Sequence, residues 1–222
     1  MAALPFKFKQ FTVVQDKCAM KIGTDGVLLG AWTSIKQQPF SILDIGSGTG
    51  VISLMLAQRC HAELIDAIEI DDDAYEQCTE NFENSSWNDR LFCYHASLEE
   101  FVEEIDDKYD LIVSNPPFYS DDYKSDNAQR DIARFQDALP FEHLIESVTQ
   151  LLSESGVFSV IIPFKEEETF IGLAKDFGLF NNRITRVKGN PDSEIKRSLL
   201  EFSFIKDKVE TNELIIETER HQ

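Results

Sequence analysis

The chain has 222 residues, 42% of them hydrophobic, and 17 phenylalanines, so it carries enough apolar surface for a core and lacks the composition of a disordered chain. No run approaches the ~18 apolar residues of a membrane span, and residues 1–10 lack the long apolar stretch and cleavage site of a secretory signal. A net charge of −19 argues against a polyanion as partner, but residues 60–110 alone hold 17 acids and two bases, while residues 1–36 and 181–208 are each +3.

Short apolar runs alternate with helical segments along the chain. Residues 1–39 form an N-terminal extension. Residues 40–45 then predict a buried strand stopped by glycines, and apolar spacing over 51–59 predicts a helix. A second strand follows at 64–70, then a helix over 71–84 whose acidic first turn suits the helix dipole. Residues 91–95 predict a third strand, 98–105 a short helix and 109–114 a fourth strand. Beyond them come a helix at 141–152, a strand at 157–163, a helix at 166–177 and two strands at 183–187 and 199–204. This alternation predicts right-handed crossovers and an α/β fold, a doubly wound, mainly parallel, seven-stranded sheet. The last two strands are joined by too few residues for a crossover helix, so they pair as an antiparallel C-terminal hairpin. No repeat or Gly/Ser linker divides the chain; 40–204 is one domain and 205–222 a tail.

The sharpest local signal is Leu43-Asp44-Ile45-Gly46-Ser47-Gly48-Thr49-Gly50 at the first strand-to-helix junction. Glycines there let the backbone turn tightly and approach a ligand at the switch point of the sheet. Glu69, at the end of the next strand, is placed to accept hydrogen bonds from both hydroxyls of a ribose. Asp44, just before the loop, is placed to receive a ligand ammonium, directly or through water. The loop is G-x-G-x-G and not the G-x-G-x-x-G of dinucleotide enzymes. That spacing suits S-adenosyl-L-methionine, which has an amino-acid end and no pyrophosphate, better than NAD.

The fourth strand runs into Asn115-Pro116-Pro117-Phe118. Two prolines stiffen the turn and leave the Asn115 side chain and the Pro116 carbonyl as polar groups on a rigid support. A planar amine is a poor nucleophile because its lone pair is delocalised into the ring. Two acceptors on its hydrogens favour the pyramidal geometry and the positive charge that develop as nitrogen attacks a methyl group. Phe118 offers a face on which a base stacks. No strong general base is required before attack, and none is evident in the turn.

With these motifs the sequence resembles class I methyltransferases that act on an amide or exocyclic amine. The stretch 6–11 with 18–32 (Cys-Ala-Met-Lys-Ile-Gly-Thr-Asp-Gly-Val-Leu-Leu-Gly-Ala-Trp), together with Gln129-Arg130 and Ala133-Arg134, more closely resembles the bacterial tRNA(Val) adenine-N6 methyltransferase family, over residues 6–204. The resemblance implies a Rossmann-like class I fold and methylation of the adenine 3′ of the anticodon. It implies that Gly46 and Gly48 line the methionine end of the cofactor, Glu69 its ribose, and that Asn115, Pro116 and Phe118 hold the target adenine as the catalytic set, with Asn115 also beside the cofactor. Lys21, Thr24 and Asp25 belong to the N-terminal segment that folds over the cofactor. Where that family often has an acid near the cofactor adenine, this chain has Ala96-Ser97, so recognition falls to Ser97 or backbone groups.

The basic flanks supply the expected tRNA contacts, from Lys7, Lys9, Arg130, Arg134, Lys196 and Arg197, with Lys124, Arg186 and Lys188 on the same rim. The four histidines show no metal spacing, and Cys18, Cys60, Cys78 and Cys93 show no CxxC spacing or disulfide density, which suits a reducing cytoplasm. The expected protein is a monomer that uses no metal and no membrane. Its rivals are a protein-glutamine methyltransferase, which the short N-terminal extension leaves little room for, a DNA adenine methyltransferase, for which no target-recognition domain is visible, and an RNA chaperone without catalysis.

Overall fold

A computed structural model describes residues 4–117 and 139–217. The chain opens with a two-stranded antiparallel ribbon, β1 (Phe6–Lys7) and β2 (Thr12–Val13), and a helix, α1 (Thr24–Trp32). Phe11 is buried, stacks on Phe8 with ring centroids 4.5 Å apart, and meets Trp87 edge-on. The C-terminal end of α1 is held by two arginines. Arg59 donates to the carbonyls of Gly30 and Thr33, and Arg183 donates to that of Trp32 while stacking on its indole. These satisfy carbonyls that a helix end otherwise leaves without partners.

The body alternates strand and helix as the sequence predicts: β3 (Ser41–Ile45), α2 (Val51–Arg59), β4 (Leu64–Glu69), α3 (Asp72–Glu83), β5 (Leu91–His95), α4 (Leu98–Glu104) and β6 (Tyr109–Ser114). After the segment that lies outside the described residues come α5 (Phe141–Leu151), β7 (Leu152–Pro163), a 3-10 turn (Phe164–Glu166), α6 (Glu167–Asp176), β8 (Phe180–Lys188), β9 (Ile195–Ser203) and β10 (Glu210–Ile215).

The sheet order is β10-β8-β9-β7-β6-β3-β4-β5. Strands β5, β4, β3, β6 and β7 are parallel, and β9 runs antiparallel to both β7 and β8. The chain leaves β3 toward β4 and β5, then returns on the other side through β6 and β7, so the switch point lies between β3 and β6. Side chains alternate along β3. Leu43 and Ile45 face a core with α4, α5 and α6, where Phe158, Phe170 and Phe202 meet, while Ile42 faces a second core under α2 and α3. A fully buried Phe or Leu in these layers is worth roughly 1.5–3 kcal/mol.

The expectation of seven strands and a tail is corrected: among the described residues the sheet has eight, because β10 pairs in parallel with β8 from Glu210↔Arg183 to Ile215↔Lys188. An exposed edge strand needs no apolar alternation, and Glu-Thr-Asn-Glu shows none. The strand expected at 157–163 begins earlier, at Leu152, directly where α5 ends.

Candidate active site

The glycine loop sits where β3, β4 and β6 end together. Ile45 is in register with Ile68 and with Ser114, which places Gly46, Glu69 and Asn115 side by side along one edge of the sheet. The Gly46 and Ser47 amides both donate to the Ile68 carbonyl, at 3.0 and 3.1 Å, and the Ser114 hydroxyl donates to the Ile45 carbonyl at 3.0 Å. Three glycines adopt left-handed backbone, Gly46 at φ +71°, Gly48 at +55° and Gly50 at +75°. A Cβ at Gly46 or Gly48 would meet nothing within 4 Å, so these two face open space. A Cβ at Gly50 would lie 2.6 Å from Phe82 and 2.9 Å from the Cys78 sulfur, so Gly50 admits α3 to the loop.

Glu69 is bound to the loop itself. Its Oε2 accepts from the Gly48 amide at 2.8 Å, and its Oε1 accepts from the amides of Ile70 and Asp71 at 3.0 Å each. Ile70 beside it is 62% exposed, an apolar side chain on the rim of a polar cradle. Beneath the loop Asp44 is fully buried. Its Oδ2 accepts from the Ser53 amide at 3.2 Å and hydroxyl at 2.7 Å, while Oδ1 has no partner among the described residues. Burial pushes the Asp44 carboxyl up to about 7, against the pull of the Ser53 bonds and with a further push from Glu69. A buried carboxylate oxygen lacking a partner, under two glycines open to a ligand and beside an acid at the next strand end, fits the ammonium, backbone and ribose of S-adenosylmethionine.

The segment ahead of α1 crosses this cradle. Val14 is held at both ends by Asn81, which accepts from its amide at 2.8 Å and donates to its carbonyl at 2.9 Å, and the same Asn81 amide donates to the Thr49 carbonyl in the loop. Gln77 accepts from the Lys17 amide at 3.0 Å. Cys18 is buried near Glu69 and Asp71; burial, then those two charges, pushes its thiol up to about 11. Lys21 closes the turn by donating to the carbonyls of Gln15 and Cys18 at 2.6 Å each. Thr24 starts α1, and Asp25 pairs with Arg197 at 2.8 Å. Asn81, Gln77 and Ser53 were invisible to motif reading; their only sequence signal is a polar residue on an otherwise apolar helix face.

Asn115 and Pro117 are half-buried and Pro116 buried at the end of β6. Phe118, Lys124, Arg130 and Arg134 lie outside the described residues. Ser97 caps α4: its hydroxyl accepts from the Glu100 amide and donates to the Glu100 carboxylate, which also accepts from the Ser97 amide. Lys196 and Arg197 open β9 at the same edge as the loop, since Arg197 pairs with Pro163 at the end of β7. Lys9 lies elsewhere than beside the glycine loop. With Phe8, Phe11, Met55, Gln58 and Arg59 it lines a cavity of about 290 Å³ at the C-terminal end of α2, a helix length from the glycine loop. Phe11 is buried and Phe8 partly buried in the second core there, and Lys7 pairs with Thr12 in the β1–β2 ribbon. Among the described residues no cluster of His, Cys, Asp and Glu is arranged to hold a metal, and no helix is long and apolar enough to cross a membrane.

The methyltransferase small domain family matches residues 27–181. A tRNA1(Val) (adenine(37)-N6)-methyltransferase of Flavobacterium johnsoniae is 66% identical, over 97% of this chain and 92% of its own. One from Christiangramia forsetii is 60% identical, over 100% of this chain and 93% of its own. The chain belongs to the tRNA1(Val) (adenine(37)-N6)-methyltransferase family. Among solved structures, a predicted O-methyltransferase of Agrobacterium tumefaciens aligns with TM-score 0.66 at 18% identity, covering 90% of each chain. TYW2 of Pyrococcus horikoshii, solved in complex with MeSAdo, aligns with TM-score 0.60 at 14% identity, over 89% of this chain and 69% of that one. At these identities the likeness is one of fold, the class I methyltransferase fold. Asp44–Gly50, Glu69 and Asn115–Pro117 lie at three adjacent strand ends of that fold.

Proposed function

We propose that this chain methylates N6 of adenine 37 in tRNA1(Val), with S-adenosylmethionine as methyl donor. The observation that carries the reading is the row formed by Glu69, Gly46 and Asn115 at three adjacent strand ends, in a chain of this family. When bound, S-adenosylmethionine supplies an electrophilic methyl on a sulfonium. Asp44 receives its ammonium, Gly46 and Gly48 give its backbone room, and Glu69 takes the ribose hydroxyls. The strap at residues 14–22, tied down by Asn81 and Gln77, covers the occupied cradle, and Lys21 and Thr24 complete its cover.

On the neighbouring strand end, the Asn115 side-chain oxygen and the Pro116 carbonyl accept the two amine hydrogens of the adenine, with Phe118 against the base. These acceptors are fixed before the substrate arrives, so they oppose no reorganisation when positive charge develops on nitrogen. The surplus proton leaves after methylation, and no base need be poised for it. The adenine comes from a single-stranded anticodon loop, which spares the cost of opening a duplex. The reading extends to the cytoplasm, which four free cysteines, two of them buried, support, and to a monomer.

The test incubates the protein with tritiated S-adenosylmethionine and, in parallel, total RNA, DNA and release factor from a strain lacking the gene. Label in tRNA alone is the expected result; label in release factor or in DNA overturns it in favour of a glutamine or DNA adenine methyltransferase.

A further inference from the structure

The edge of the sheet is not level. The last register pair between β6 and β7 is Ser114↔Val160, yet β7 runs on to Pro163, so it overhangs the end of β6 by three residues, about 10 Å at ~3.3 Å per residue. β9 shares the overhang, with Pro163 opposite Arg197, and β8 follows with Val187 opposite Arg197. A wall therefore rises beside Asn115-Pro116-Pro117, on the side away from the glycine loop. A base held at Asn115 lies at the foot of that wall, and the strand that carries it must pass over the top.

The top is occupied by an aromatic ring and a fixed guanidinium. Phe164 follows Pro163 and is 36% exposed, whereas Phe158, Phe170 and Phe202 behind it are fully buried. Arg186, on β8, holds its guanidinium carbon 5.6 Å from the Phe164 ring centroid. Glu167, its side chain only 4% exposed, accepts from Arg186 Nε at 3.1 Å and Nη2 at 2.6 Å, and from the Ser198 hydroxyl. A carboxylate buried this deeply locks the arginine plane, and Nη1 is left without a partner among the described residues. Lys196, exposed, stands next to Arg197 on β9.

We propose that Phe164, with Arg186 beside it, is a stacking ledge for a nucleotide flanking the target adenine, with Arg186 Nη1 and Lys196 meeting the adjoining phosphates. An exposed ring beside a pre-oriented arginine is the arrangement that holds unpaired bases without reading their sequence. The ledge explains how so acidic a chain grips RNA: the contact is local, by one ring and two cations, and does not draw on the net charge. This inference rests on the reading that the substrate is RNA.

The test measures binding of a tRNA1(Val) anticodon stem-loop carrying 2-aminopurine next to the target adenine, by anisotropy for affinity and by fluorescence quenching for stacking, with S-adenosylhomocysteine present. The wild type quenches the probe. Phe164→Ala raises Kd about five- to a hundredfold and abolishes quenching, Phe164→Trp restores both to within about threefold, and Lys196→Ala lowers the salt slope by about 0.7. Affinity for S-adenosylhomocysteine alone, measured by calorimetry, stays unchanged in all three variants. Wild-type Kd and quenching in Phe164→Ala overturn the ledge while leaving the enzyme's function standing. A wild-type protein that binds S-adenosylhomocysteine but neither binds nor methylates the stem-loop overturns the RNA reading, and the ledge with it. If Phe164→Ala does not fold, Phe164→Leu replaces it and is judged by the same quenching.

Discussion

The two sides of the switch point are built in different ways. On the β3–β4–β5 side the site is backbone: three left-handed glycines, two amides on the Ile68 carbonyl, and a carboxylate bound to the Gly48 amide of the loop and to the Ile70 and Asp71 amides ahead of α3. On the β6–β7–β9–β8 side it is side chain on side chain, with Arg197 on Asp25, 172 positions apart, and Arg186 and Ser198 on Glu167, 19 and 31 positions apart. The charge follows the same division, with −15 in residues 60–110 and +3 in residues 181–208. One side is thus shaped by a short loop and the amides around a single carboxylate, while the other is a surface of side chains assembled only on folding.

Exchanging one side chain on each side sharpens that division. Asn115→Ala removes a fixed acceptor from the reacting amine, and turnover falls about 10²–10³-fold while calorimetry shows cofactor affinity nearly intact. Turnover near the wild-type value takes Asn115 out of the mechanism. Within the glycine loop, Gly50→Ala places a methyl against Phe82 and Cys78 in left-handed backbone and costs about 2–4 kcal/mol in chemical denaturation. Gly46→Ala has no such clash, costs about 1–2 kcal/mol of strain, and shows its main effect as weaker cofactor binding.

Glu69→Ala comes next in size. Loss of a charged acceptor for the ribose raises the cofactor Kd by about 1.5–3 kcal/mol, with turnover at saturating cofactor little changed; unchanged affinity contradicts the assignment. The pH dependence is the smallest effect. Asp44 holds its proton up to about 7, and an ammonium favours the carboxylate, so affinity for S-adenosylhomocysteine falls by up to about tenfold per unit as pH drops below 7. Stability of the free protein runs the other way: between about 4 and 7 the folded state keeps a proton the unfolded chain has lost, so stability declines as pH rises. Asp44→Asn flattens both curves, and a flat wild-type curve refutes the role of Asp44.

The division also governs what was legible in the sequence. Asp44 through Gly50, Glu69 and Asn115-Pro116-Pro117 were readable because each sits at the end of a strand whose apolar run announces it, and parallel strands in register bring their ends together. β10 escaped because a polar edge strand has no period to detect. Asn81 escaped because it is a single amide whose partners, Val14 and Thr49, are 67 and 32 positions away. The position of Lys9 was not legible either, because it follows the packing of its neighbours Phe8 and Phe11 and not its charge.

The most direct test of the proposed function is to methylate a tRNA1(Val) transcript to completion and map the product by nuclease digestion and mass spectrometry, alongside a transcript with guanine in place of adenine 37. The expected result is one methyl per tRNA, on N6 of adenine 37, and none on the altered transcript. Equal incorporation into both transcripts, or a methyl on another atom, contradicts it.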